Sequence, residues 1–216
     1  MPTSKAVRAP KQDRSVQTRQ RILDEALRLF AANGFDAVGI RDVAAAAGVN
    51  HGLIKYHFGD KDRLWREAVE LLFQRADQLL TVTPDMLDQP VEKQFESFLR
   101  RYVRYCADHP EHARLMVQES VRDSDRLAWA ASRFIAPEHE GVIRAIKALR
   151  KRGILPDVDP VLLVYMISSA AQAPFMLAPE LKHTHGVDAM DPAMIEAHAD
   201  AVVALFLGKR RAPAKT

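Results

Sequence analysis

The strongest constraint on this chain is a spacing. Apolar residues recur three and four apart in segment after segment, and no sustained period-two alternation interrupts them. Positions so spaced share one face of a helix, and each such stripe has to be buried against another element. With 216 residues, 48% of them apolar and only nine glycines, the chain can bury a sizeable core without covalent staples. An all-α fold is expected. The lone cysteine, Cys106, cannot form an intrachain disulfide, and the first 21 residues hold six Lys or Arg and no apolar h-region. A secreted disulfide scaffold is excluded, and a reducing cytoplasmic setting is expected.

Punctuation divides the helices. Residues 1–14, with Pro2 and Pro10, read as a basic disordered arm, and residues 209–216 as a basic tail. A first helix starts at Ser15 or Thr18 and stops at Asn33-Gly34, with Ile22, Leu23, Ala26, Leu29 and Phe30 as its buried stripe. Ile40–Ala46 is a short helix broken at Gly48. Asn50 caps a second short helix reaching Phe58, and Asp60 caps a longer one from Lys61 to about Leu80. Beyond Pro84 come longer amphipathic helices: Val91 to Cys106, one containing Leu115 to Val121, and Asp125 to Arg152, which is one kinked helix or two because Pro137 interrupts it. Residues 160–179 carry no charge, which approaches the length of a membrane span. Ser168, Ser169, Gln172 and Pro174 inside the run favour instead a helix buried in a core or at a subunit interface. A loop holding His183 and His185 follows, then a last helix from Pro192 to Leu207.

Two short helices joined by a glycine-containing turn make a helix-turn-helix, whose second helix enters the DNA major groove. Ile54 and Phe58 are four apart and can face the core. His51, Leu53 and Lys55 then point elsewhere, available for bases. Tyr56 and His57 can donate to phosphate, and Lys61 adds a cation beside unpaired helix-start amides. Other readings stay open at three positions. Tyr56 can be a core aromatic, Arg41 a partner of Asp42 or Asp36, and His57 a cover for the helix end. The charge distribution agrees on which end meets a polyanion: residues 1–66 hold 12 basic and 7 acidic residues, and residues 67–216 hold 19 and 21. Within the first part, however, six of the basic residues lie in positions 1–21, where they can track phosphates, enter a minor groove, or simply be solvated.

From Thr18 to about Phe73 the chain resembles the TetR family of transcriptional regulators. The resemblance is carried by Thr18-Arg19 with Ile22-Leu23, Ala26 and Phe30; by Gly34-Phe35; by Arg41-Asp42-Val43-Ala44 leading to Ala47-Gly48-Val49; and by Ile54-Lys55-Tyr56-His57-Phe58 with Lys61 and Leu64. It implies an Ω-shaped homodimer of about nine helices per subunit, whose N-terminal three-helix domain, residues 15–62, binds double-stranded DNA. Residues 63–208 then form a helical bundle for effector binding and dimerisation, the last two long helices pairing with their symmetry mates. Carried over by position, Arg41, His51, Gly52, Leu53 and Lys55 are base-facing, and Tyr56, His57 and Lys61 contact phosphate. Two positions depart from the family pattern. Lys55 stands where tyrosine is commonest, exchanging a rigid ring for a flexible cation, and Gly39 stands where threonine commonly caps the first short helix.

The implied function is a DNA-binding regulator, a repressor released from a palindromic operator by a small molecule. An activator of the same fold, a helical-bundle enzyme and a membrane-associated protein are the alternatives. No catalytic constellation, Gly-rich phosphate loop or cofactor motif is present, and the pairs His109/His112 and His183/His185 lack the partners of a metal site. Cys106 reads as an inert buried thiol. For the effector pocket the candidates are Phe98, Tyr102, Tyr105, Met116, Trp129, Phe134, Tyr165, Met166 and Phe175, with Arg101, Arg104 and Arg114 available to an anionic ligand if they point inward.

Overall fold

A computed structural model of the chain describes residues 11–81 and 83–208, and they form helices joined by short turns, with no strand among them. The elements are α1 (Lys11–Asn33), α2 (Ile40–Ala46), α3 (His51–Phe58), α4 (Lys61–Leu80), the single turn α5 (Pro84–Leu87), α6 (Val91–Asp108), α7 (Pro110–Arg122), α8 (Asp125–Ala130), a π-turn (Ala131–Ile135), α9 (Ala136–Lys151), α10 (Pro160–Met176), α11 (Ala178–His185) and α12 (Pro192–Leu207). Counted with 125–151 as one run and without α5, these are ten helices, against about nine expected. Most of the expected arm, and the tail after Gly208, lie outside the described residues. By their internal contacts the residues form two compact units divided between Leu72 and Phe73, within α4.

The expected punctuation operates at most boundaries. Asn50 Oδ1 accepts from Gly52 N at 2.8 Å, Asp60 Oδ1 from Arg63 N at 2.8 Å, Asp159 Oδ1 from Val161 N at 2.8 Å and Asp191 Oδ1 from Ala193 N at 2.7 Å. Each caps the helix after it by satisfying an otherwise unpaired amide. Two expectations are corrected. The first helix is already formed at Lys11, the first described residue, rather than starting at Ser15 or Thr18, because Lys11 to Thr18 holds no residue that stops a helix. The loop expected around His183 and His185 is helix α11: Pro179 lies in its first turn with Glu180, Lys182 and both histidines lie in its last, and Gly186 ends it at φ 68°.

Proline shapes the second unit twice. Pro137 lacks the N–H that would bond back one turn and its ring crowds the carbonyl there, so the run from Asp125 widens into the π-turn just before it. The kink anticipated at Pro137 is this turn. Pro174 lies inside α10 and leaves the carbonyl of Ala170 without its helical donor. His198 of α12 takes that place, its Nε2 lying 3.0 Å from Ala170 O and 3.2 Å from Ala171 O, so the imidazole carries its proton on Nε2. The edge of the His198 ring meets Phe175 at 5.6 Å.

α10 packs against α6, α7, α9, α11 and α12. Its Leu163, Ile167, Ala171 and Phe175 are buried with Leu99 and Val103 of α6, Ile146 and Leu149 of α9 and Val202 of α12. No single helix among the described residues is long and apolar enough to cross a membrane; α10 and α11 together have the composition but are bent by 64°. Replacing His198 by leucine should strand the Ala170 carbonyl and cost about 1–3 kcal/mol of stability. Urea unfolding of His198→Leu beside His198→Gln, whose amide can still donate, checks this; equal losses would mean that the bond contributes nothing.

Candidate DNA-binding surface and effector cavity

In the first unit α2 and α3 are joined by a turn in which Gly48 adopts φ 62°, a left-handed conformation that side chains rarely accept. Gly39 starts α2 without a side-chain cap, but Asp42 reaches back and its Oδ2 accepts from Gly39 N at 2.7 Å. This contact satisfies the amide of Gly39, the reciprocal half of a capping box, and leaves unmade the bond that a threonine side chain would accept from the first-turn amides. It also occupies Asp42, so Arg41 is exposed with no ion pair among the described residues.

On α3, Ile54 and Phe58 are fully buried, whereas His51, Gly52, Leu53, Lys55 and Tyr56 are exposed. Tyr56 is 80% exposed, which removes the reading of it as a core aromatic. His57 is half-buried, its ring 5.1 Å from that of Tyr56. A Cβ built on Gly52 would meet only Asn50 Oδ1, at 3.2 Å, so the fold makes a weak demand for glycine there. Lys61 opens α4 with its ammonium 4.2 Å from the centre of the Phe35 ring and 3.5 Å from the Asp36 carbonyl, and Phe35 stacks on Phe30 at 5.8 Å. The guanidinium of Arg19 lies over Phe58, and Glu67 of α4 pairs with both Arg19 and Arg63. Residues of α1, α3 and α4 thereby anchor the helix that carries the exposed row.

The second unit contains a cavity of about 460 Å³. Its walls come from the last turns of α4 (Ala76, Asp77, Leu80) with Thr81, from α6 (Val91, Gln94, Phe95, Phe98, Tyr102), from α9 (Glu138, His139, Gly141, Val142, Ala145, Leu149) and from α10 (Val164, Ile167, Ser168). Of the nine residues expected to line a pocket, Phe98 and Tyr102 do so. The other seven are elsewhere. Tyr105 is buried and its hydroxyl lies 2.6 Å from Nδ1 of His112. Phe134 stacks on Phe73 at 4.7 Å and meets the edge of Trp129 at 5.4 Å. Met116 is half-buried on α7, and Phe175 is fully buried against α12. Tyr165 and Met166 are 58% and 52% exposed on the outer face of α10. Apolar all round, α10 offers no stripe from which its inner face can be read.

The three arginines considered for an anionic ligand serve the fold. Arg101 Nη1 donates to Thr81 O at 2.9 Å and Leu79 O at 3.2 Å, and its Nη2 to Leu80 O at 3.3 Å, capping the end of α4. Arg114 does the same for α10 through Phe175 O at 2.9 Å and Met176 O at 3.2 Å. Arg104 forks onto Glu196 with two bonds of 2.7 Å. Burial pushes the Cys106 thiol up to about 12, so it stays protonated.

Asp77 and Glu138 were not among the expected pocket residues, and both bring charge. Desolvation, helped by the charge of Asp77, raises the Glu138 carboxyl to about 7. Burial also holds His139 below its ordinary value, in the neutral form. A sequence signal for this region existed in Pro137: a proline breaking an otherwise continuous helix marks a place where packing opens.

Residues 22–68 match the family described as bacterial regulatory proteins, tetR family, and residues 90–205 match the tetracyclin repressor-like C-terminal domain family. The chain belongs to the TetR family. It is 27% identical to the transcriptional regulator HbdR of Aromatoleum sp. (strain CIB), over 73% of this chain and 68% of that protein. It is 29% identical to the repressor SCO4008 of Streptomyces coelicolor, over 74% and 81% respectively. The fold also matches AibR, solved with isovaleryl coenzyme A and operator DNA, with a TM-score of 0.71 at 13% identity over 88% of this chain and 98% of that one. As a TetR-family protein the chain is a DNA-binding transcriptional regulator and not an enzyme.

The raised Glu138 carboxyl has a consequence for stability. Its folded-state value of about 7 exceeds the ordinary 4.5, so the folded protein holds this proton more tightly than the unfolded chain. Stability from this group is fully present below 4.5 and is lost as pH rises through 7. Glu138→Gln should therefore melt increasingly above wild type between pH 4.5 and 8; parallel melting temperatures across that range would contradict the assignment.

Proposed function

We propose that this protein is a cytoplasmic repressor that binds a palindromic operator as a homodimer through α3 and leaves it when a small molecule fills the cavity of the second unit. The observation that carries the reading is the row on α3. A solvent-facing tyrosine beside Lys55, His51, Leu53 and a bare glycine backbone has no use in the fold, whereas Ile54 and Phe58 on the opposite side do. Exposed aromatic and cationic side chains on a short, well-anchored helix suit a major groove.

Arg41 of α2 joins His51, Gly52, Leu53 and Lys55 of that row on the bases, and Lys61 of α4 joins Tyr56 and His57 on the phosphates. Lys61 is pre-positioned by the Phe35 ring, so little side-chain entropy is lost when a phosphate arrives. Gly52 lets the backbone approach a base closely. The AibR complex supports a small-molecule effector in general terms. α4 offers a route for the signal, because one continuous helix begins at Lys61 and ends in the cavity wall. An effector releases DNA only to the extent that it prefers the conformer with the wrong half-site separation.

For dimerisation, α10 exposes Val161, Leu162, Tyr165 and Met166 at helical spacing, and α12 exposes Leu205. A contiguous apolar face left in water is unusual in a monomer, and a second copy on a two-fold axis would cover it. Tyr165→Glu with Leu205→Glu should give monomers in sedimentation, and a monomeric wild type at micromolar concentration would refute the dimer.

DNA binding is tested with fragments of the adjacent promoter. Tyr56→Phe and Lys61→Met should weaken binding to every sequence, and Lys61→Met should lower the slope of log K against log salt by about 1. Lys55→Ala should change base preference at one position per half-site, worth about 1–3 kcal/mol. Gly52→Val should abolish binding while leaving the melting temperature nearly unchanged. If wild type binds no DNA at low salt, the regulator mechanism fails at its first step; if all four variants lose affinity uniformly, the division into base and phosphate contacts is wrong.

A further inference from the structure

The cavity has a sign. Asp77 from α4 and Glu138 from α9 are its charged lining residues, and neither lysine nor arginine lines it. Arg101 on the neighbouring α6 is turned onto the carbonyls that end α4, and Arg100 is divided between Glu96 and Asp200. Glu138 has no hydrogen-bond or ion-pair partner among the described residues, and Asp77 is the charge acting on it. His139, neutral through burial, adds no positive charge.

The rest of the wall is aromatic on one side. Phe95, Phe98 and Tyr102 lie at i, i+3 and i+7 along α6, with Phe95 and Phe98 stacked at 6.1 Å and Phe98 and Tyr102 at 5.8 Å, nearly parallel. Aromatic faces attract cations, and the attraction strengthens where water is excluded. Two carboxylates brought together without a counter-ion repel each other and retain an unmet demand for positive charge. An anionic guest would meet that repulsion and find no fixed cation to compensate it.

We propose that the effector is an organic cation, an amine or quaternary ammonium compound with an apolar aromatic or aliphatic body, its charge held by Asp77 and Glu138 and its body by the Phe95–Phe98–Tyr102 wall. The assignment rests on the cavity being the effector site. Its volume, about 460 Å³, suits a drug-sized guest. Anionic acyl thioesters and free fatty acids are excluded by the same charge.

Two probes of nearly equal shape and opposite charge test this on the full-length protein: tetraphenylphosphonium and tetraphenylborate. Calorimetry should show saturable binding of one phosphonium per chain and at least ten-fold weaker binding of the borate. Asp77→Asn with Glu138→Gln should weaken the phosphonium at least ten-fold and leave the borate unchanged or tighter, with cooperative unfolding no lower in temperature than wild type and the operator affinity of the ligand-free protein retained. If the double variant does not fold, Glu138→Gln alone serves, with a several-fold loss expected. Equal affinities for the two probes, failure of the phosphonium to bind, or binding indifferent to the carboxylates would overturn the proposal. Release of operator DNA is measured separately. A cation that binds through Asp77 and Glu138 yet leaves the operator occupied upholds the charge assignment and refutes the effector mechanism.

Discussion

An uncharged helix with a proline inside it has to find both apolar neighbours and a substitute hydrogen-bond donor, and α10 sets the arrangement of the second unit by those two needs. Five helices pack against it, and His198 of α12 supplies the donor that Pro174 removes from Ala170. Arg114 of α7 closes its C-terminal carbonyls and Asp159 its N-terminal amides. Few positions on α10 can therefore change without disturbing another helix. The side left over, Val161, Leu162, Tyr165 and Met166, remains apolar and exposed in the single chain.

Several arginines of the second unit, buried and exposed, are held by fixed structural partners. Arg101 and Arg114 spend their guanidinium groups on helix ends, Arg104 holds Glu196, and the fully buried Glu119 is met by Ser124 and by Arg126 at 3.2 Å. At the ends of α4 and α10 such placement satisfies carbonyls that have no partner within their helix. It also empties the cavity wall of positive charge, so Asp77 and Glu138 face each other's fields uncompensated. The first unit does the reverse. Asp42 and Glu67 are occupied with Gly39, Arg19 and Arg63, and Arg41 and Lys55 are exposed with no ion pair among the described residues.

How much of each site was legible follows from how local its cause is. The α3 row could be read because eight residues bounded by Asn50 and Gly59 admit one arrangement: with Ile54 and Phe58 inward, Tyr56 and Lys55 must turn outward. The cavity could not be read this way. Its walls come from α4, α6, α9 and α10, and a lining residue differs from a core residue only by what a distant helix fails to fill. Aromatic content picked Phe98 and Tyr102, which line the cavity, but also Phe134 and Phe175, which other rings cover. It missed Asp77 and Glu138 because a charged residue on a helix ordinarily faces water.

Most helix positions, their caps and the exposed row on α3 were thus determined by the sequence itself, through periodicity and through side chains that act within a few residues of their own backbone. Even the helix taken for a loop at His183 carried its local signals, Pro179 at the start and Gly186 at the end. Tertiary structure decided which side of the all-apolar α10 lies inside, which arginines become caps, and that two carboxylates share a cavity without a counter-ion. These depend on contacts between residues far apart in the chain, where spacing carries no information and packing alone selects the partner.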